Sequence, residues 1–404
     1  MSIFYLIFVA LSVYFSFRYD RIEEYDSHKQ HRLWLMCTYM ILLTGFSYGL
    51  GGDKFTYMRE FEGYPVTFND AKDYIWFSFM LKAQMPLWTV VNLIGKVIFN
   101  SFYAVQLIES AAINIAICFL VSRYTHRYFI FLLIFFFSLQ YFVFNTELMR
   151  EGFAMSFALI AMYSWMIGKR WIFFVLTPIA LLFHISAVVI LIFPFIHFKV
   201  SPMSLLYATG ISFTVWFLSD IILGKVMVSV LGGIGNLVHK ILFYSIQAST
   251  IFGFIRSAFT YIILPFIIAY TSIYYETSIE RKQHKEKMLS YLIVLGVLAS
   301  AFAGFVRIYN YAIIFYLIMF ADFIYLLFKV KKHLILRVGT LICTLFLIFL
   351  TYIIHYQSTN TYYYDFFFPY TCILNETDEV YIREIAHLEA VNTEKQDNNV
   401  RDIN

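Results

Sequence analysis

The sequence predicts an all-α, polytopic integral membrane protein, and three observations carry that reading. Hydrophobic residues make up 61% of the 404 positions and charged residues only 14%, with a mean hydropathy of +0.71, whereas a soluble domain carries about 25% charged residues. Apolar runs close to the length of a bilayer-crossing helix recur along the chain, enough for about eleven to twelve membrane segments. Those runs are continuous, as in 172–198, rather than alternating, which argues against a β-barrel.

Each segment follows from that pattern. The first run, 2–17, lacks a basic leader and a small-x-small cleavage site, so it reads as a retained span and not a secretory signal. Arg18, Arg21, Lys29 and Arg32 come next, and the preference of basic loops for the cytoplasm places the N-terminus outside. A second span, 33–50, leads to Gly51-Gly52-Asp53 and an extracytoplasmic segment, 51–100. Within it, the stretch from Pro86 is too short and interrupted to cross, and reads as an interfacial or re-entrant helix. Spans at 102–121 and 128–144 carry the chain in and out, with Arg123, His126 and Arg127 between them. Asn145 to Gly152 then faces outside, and a fifth span returns to Lys169 and Arg170.

Residues 171–198 number 28, long for one span and short for two. A hairpin of short helices hinged near His184 keeps the basic groups Arg281, Lys282, Lys285, Lys287, Lys329, Lys331 and Lys332 in the cytoplasm. Backbone left unpaired at such a hinge needs cover from protein or a hydrated cavity, so His184 is expected to line a cavity. Further spans are expected near 204–222, 251–275, 288–303, 308–328 and 334–355. An outside segment at 223–247 contains Gly232, Gly233 and Gly235. The one boundary expected separates a membrane body, 1–355, from a polar tail, 356–404.

Function has to come from charges in this apolar chain, because intramembrane charge is costly unless it is paired, hydrated or used. Asp53, Arg150 with Glu147 and Glu151, His184 and Arg307 all fall on one side of this topology. Asp53, Tyr57 and Phe61 share a face if the segment after the Gly-Gly turn is helical, and Asp53 also suits an N-cap there. Arg150 could pair with Glu147 three residues before it, or bind an oxyanion through its planar fork. His184 could bind phosphate or move a proton. Cys37, Cys118, Cys343 and Cys372 are scattered without metal-ligand spacing, and no disulfide is expected. No nucleotide-binding glycine loop, hydrolase elbow or metalloprotease motif is present. The net charge of +4 is spread over loops, so nucleic acid is not an expected partner.

Several of these residues resemble a known family in order: Gly51-Gly52-Asp53 with Tyr57 and Phe61, Pro86 to Lys96 with Asn92, Arg150 with Ala154, Lys169-Arg170-Trp171 followed by His184-x-Ser186-Ala187, and Arg307. The sequence resembles the EpsG-like branch of the Wzy-type exopolysaccharide and O-antigen polymerases. It departs from that pattern at Met85, where an acidic residue is usual, and at Glu151, where glutamine is common. The resemblance implies a multi-pass glycosyltransferase of the bacterial inner membrane. It would move a growing glycan from undecaprenyl diphosphate to a lipid-linked repeat unit on the outer face. Asp53, Arg150, His184 and Arg307 are the expected catalytic residues; Tyr57, Glu147, Lys169, Ser186 and Asn310 are the expected substrate contacts. No cofactor or metal is implied. The expected partners are the undecaprenyl-diphosphate-linked oligosaccharide, the lipid bilayer, a flippase and a chain-length regulator. A flippase or transporter of lipid-linked sugars, and an O-antigen ligase or membrane acyltransferase, are the alternatives.

Overall fold

A computed structural model describes residues 3–24, 26–81, 85–218, 250–302, 305–329, 367–373, 380 and 382–385. These residues are helical throughout the body and contain no strand, although one antiparallel bridge pairs Ser47 with Cys372. The helices are α1 (Ile3–Tyr19), α2 (Ser27–Gly45), α3 (Gly52–Glu62), α4 (Phe68–Leu81), α5 (Pro86–Ile94), α6 (Phe102–Tyr124), α7 (Tyr128–Phe137), α8 (Gln140–Phe142), α9 (Met149–Met166), α10 (Arg170–Phe183), α11 (Pro202–Phe217), α12 (Ile251–Tyr274), α13 (Ile279–Ala301) and α14 (Val306–Lys329). Wide π turns extend α5 through Gly95–Phe99 and α8 through Val143–Glu147.

Three of the described helices are long and apolar enough to cross a membrane alone: Phe102–Tyr124, Ile251–Tyr274 and Val306–Leu327. The chain is therefore an all-α polytopic membrane protein. The helix from Pro86 to Phe99 is short, as its sequence indicates. α9 packs along α10 and α6, and α6 along α2, so α6 and α9 form the centre of the site-bearing half. The expected segment at 223–247, the span at 334–355, Lys331, Lys332 and most of 356–404 lie outside the described residues. Where the tail is described it packs back on the body. Tyr5 donates to the Phe367 carbonyl at 3.1 Å, and Arg383 donates to the Gly49 carbonyl at 3.3 Å and to Thr371 Oγ1 at 2.8 Å.

Three boundaries differ from expectation for identifiable reasons. α2 begins at Ser27 because Asp26 accepts from the His28 amide at 2.8 Å, closing the helix start inside the basic loop. α13 begins at Ile279, capped by Ser278, so Arg281, Lys282, Lys285 and Lys287 lie on a helix. The largest correction is at 128–144, which is not one straight span. The chain bends by 83° between α7 and Gln140–Glu147, with Leu139 in the left-handed region at φ 60°. α7 rises only about 15 Å, roughly half a hydrocarbon core. The bend carries the following charges sideways into the helix body.

At the far end of α6 an ion-pair cluster ties the connections together. Lys285 Nζ contacts Glu276 at 2.6 Å and Asp322 at 2.7 Å, Arg281 reaches Glu276 at 3.1 Å, and Thr125 donates to Asp322 at 2.6 Å. Arg127 contacts the Asp20 carbonyl and pairs with Glu23 at 3.0 Å, and the Asp20 carboxylate accepts the Ile130 amide at 2.8 Å near the start of α7. Burial works against the charge on Glu276, yet Lys285 and Arg281 outweigh it and hold its pKa below the usual carboxylate range. Burial likewise opposes the charge on Lys285, and Asp322 and Glu276 hold its pKa above the usual lysine value.

Candidate functional site

The site is built where the bend, the start of α3 and the start of α9 meet. Gly51 has φ 88°, and a Cβ there would lie 2.7 Å from Thr146 Oγ1, so the turn into α3 requires glycine. Gly51 occupies the N-cap position of α3 and supplies no side-chain cap. The cap comes from across the fold: Glu147 Oε1 accepts the Gly52 amide at 2.6 Å and Oε2 accepts the Asp53 amide at 3.0 Å. Asp53 is therefore in the first turn of α3 and is not its N-cap. Glu147, expected to contact substrate and to hold Arg150, is instead buried with both oxygens turned to α3.

Arg150 lies over the Tyr57 ring, with Cζ 5.2 Å from its centroid, and the Tyr57 hydroxyl donates to the Glu147 carbonyl at 3.4 Å. Burial raises the Tyr57 pKa above its ordinary value, so Tyr57 is a neutral phenol. An aromatic wall continues from it. Tyr57 meets Trp88 edge-on at 5.3 Å, Trp88 meets Phe153 at 6.1 Å, and Phe153 stacks on Phe183 at 4.9 Å.

Phe183 ends α10, and at the next residue the helix breaks as expected. His184 is extended (φ −156°, ψ 131°) and starts a 3-10 helix, Ile185–Ile192, accepting from the Ser186 amide. The guanidinium groups of Arg150 and Arg307 both act electrostatically on this imidazole. Arg307, exposed at the start of α14, also acts on Glu151. Glu151 accepts from Asn310 Nδ2 at 3.2 Å. Thus Glu151 faces α14, and Asn310, expected to bind substrate, holds Glu151. Asp53 acts on both Tyr57 and Glu147.

The four expected catalytic residues, with Tyr57, Ser186 and Asn310, consequently form one group. Lys169 does not join it. It is exposed at the other end of α10, about 22 Å along the helix from His184.

Sequence reasoning missed a polar support beneath this group. Gln106, Glu109, Ser110 and Asn114 lie on one face of α6 and are fully buried. Asn145 Oδ1 accepts from Asn114 Nδ2 at 2.7 Å and from Thr44 Oγ1 at 3.2 Å, and Gln106 Nε2 donates to the Ser47 carbonyl at 2.9 Å. Lys54, also fully buried, donates to Ser47 Oγ at 2.8 Å. Burial pushes its pKa down to about 7, against the fields of Glu109 and Glu147. The Glu109 carboxylate rests against Gly152, where a Cβ would collide with it and with the Phe144 carbonyl at 2.7 Å. The signal was present in the spacing of Gln106, Glu109, Ser110 and Asn114, a helical stripe inside an apolar span.

Two arginines, a histidine and an aspartate gathered at a broken-helix junction form the charged group of this polytopic membrane protein. The sequence model of the EpsG family matches residues 32–372. The chain belongs to the EpsG family, whose members are Wzy-type polymerase-like membrane proteins. No curated protein and no solved structure matches it.

Proposed function

We propose that this protein is a repeat-unit polymerase of the bacterial inner membrane, transferring a growing glycan from undecaprenyl diphosphate to a lipid-linked repeat unit on the outer face. The observation that carries the reading is the convergence of Arg150 and Arg307 on His184 beside Asp53. Two permanently charged forks suit a diphosphate leaving group, whose negative charge grows as the glycosidic bond breaks. In the reaction proposed, the acceptor hydroxyl oxygen attacks the anomeric carbon and its proton passes to Asp53. The bond from that carbon to the carrier oxygen breaks with its electron pair on the diphosphate, which Arg150 and Arg307 stabilise. Tyr57 holds Arg150 from below, and the wall from Trp88 to Phe183 offers aromatic faces to sugar rings.

The test is complementation of a host lacking its own polymerase. Arg150→Ala and Arg307→Ala should each cut polymer formation by about 100-fold or more, leaving glycans capped with a single repeat. Unchanged polymer length in both variants would sink the phosphate-clamp reading. Cytosolic accumulation of lipid-linked units in the null host would point to a flippase, and long unattached polymer to a ligase.

A further inference from the structure

We propose that Tyr311 and Ser186 are positioning residues that fix His184 in the tautomer carrying its proton on Nε2, so that Nε2–H is the donor the imidazole offers to the anion between Arg150 and Arg307. The identity of that anion rests on the polymerase reading; the tautomer does not.

The direction of the chain follows from one group that has no choice. The Ser186 backbone amide donates to His184 Nδ1 at 3.4 Å, and a backbone N–H can only donate. Nδ1 must therefore present its lone pair, which in a neutral imidazole puts the proton on Nε2. The Ser186 hydroxyl, 2.5 Å from the same nitrogen, must then donate to it. That leaves the serine oxygen to accept from the Tyr311 hydroxyl at 2.9 Å. Tyr311 is fully buried on α14, and α14 also carries Arg307 and Asn310. One helix thus supplies an arginine acting on the imidazole and the start of the relay that orients it. Ser186 is in this arrangement part of the support and not a substrate contact. The amide contact sets the direction but is long at 3.4 Å, so the close hydroxyl contact holds the tautomer: without the serine hydroxyl, or without the Tyr311 proton that keeps that hydroxyl donating, the ring can populate the opposite form.

The experiment uses the full-length protein in lipid nanodiscs, labelled with 15N-histidine, with the His184 signals assigned by their loss in His184→Asn. The parent should show Nδ1 unprotonated and Nε2 protonated. Ser186→Ala and Tyr311→Phe should each populate the Nδ1-protonated form, and Ser186→Thr, which keeps the hydroxyl, should restore the parent pattern. In polymerisation assays Ser186→Ala and Tyr311→Phe should lower kcat about tenfold with KM within about twofold, the signature of a group that acts during bond breaking. A parent spectrum with Nδ1 protonated overturns the proposal without need of any variant, as does an unchanged tautomer in both hydroxyl deletions. Inorganic pyrophosphate, added to the parent, should shift the Nε2 signal. If the tautomer depends on Ser186 and Tyr311 as described but pyrophosphate leaves Nε2 unmoved, the positioning chain stands and the diphosphate reading of the site falls.

Discussion

Glu147 and Asp53 divide two tasks that a carboxylate beside a helix start can perform. Glu147 receives two α3 amides and stabilises the fold; Asp53 gives that cap its backbone amide, and its side chain is in the first turn of α3. Glu147→Ala should therefore lower the unfolding free energy by about 1–2 kcal/mol, as loss of an N-cap does. Asp53→Asn should move the thermal midpoint by no more than about 2 °C, while polymerisation falls by about 100-fold. The pair is read by measuring thermal unfolding in detergent and polymer yield on the same preparations. Full activity in Asp53→Asn would remove it as the base. The sequence marked both carboxylates as out of place in an apolar chain, but their roles depend on a contact between positions 94 and 95 residues apart. No spacing rule reports such a contact. The same holds for Glu151, whose neighbour in sequence is Arg150 but whose partner in space is Asn310, 159 residues away.

At the scale of elements, hydropathy located the long apolar helices, because burial in lipid or protein demands apolar length whatever the packing, but it did not mark α4 within the segment 51–100. What it could not show was direction. The run 128–144 contains no proline or glycine, the usual sequence markers of a kink, yet it turns at Leu139. The left-handed backbone there costs a branched side chain about 1–2 kcal/mol. Leu139→Gly should relieve part of that cost, offset by loss of the largely buried leucine, and retain activity. Leu139→Val, β-branched and disfavoured at positive φ, should destabilise by at least about 1 kcal/mol and lower polymer yield. Equal stability of the two variants would mean that the bend is not held by this residue. The break at His184 was legible for a different reason: a length of 28 residues fitted neither one span nor two, and the charge distribution chose between them.

Across the whole molecule, α6 separates two polar ends that titrate differently. Glu109, beside the site, and Tyr124, beside the ion-pair cluster, are about 22 Å apart along the helix. The basic surplus at the Tyr124 end is the feature that the positive-inside rule uses, and it was visible in the sequence, while the burial of individual lysines was not. Lys54 at the site end has a folded pKa of about 7 because burial penalises its charge. The unfolded value is about 10.4, so between about pH 7 and 10 the unfolded chain binds a proton that the folded protein does not. Unfolding free energy then rises with pH, by at most about 1.4 kcal/mol per unit from this group. Below pH 7 both states are protonated, the slope vanishes and the full cost of the buried charge is present.

Other groups can be separated by window. Asp20, raised to about 7 by burial, acts with the opposite sign and only below that pH. Lys29, lowered to about 8 by burial, acts with the same sign as Lys54 but above pH 8. Glu276 and Lys285 are shifted outward from neutrality and add no slope between 7 and 8. Thermal midpoints of the detergent-solubilised parent should therefore climb from pH 7 to 8, and in Lys54→Met that climb should disappear while a weaker rise above pH 8 persists. A climb that survives the substitution unchanged would assign the proton to the far end of α6, and Lys29→Met should then remove it instead.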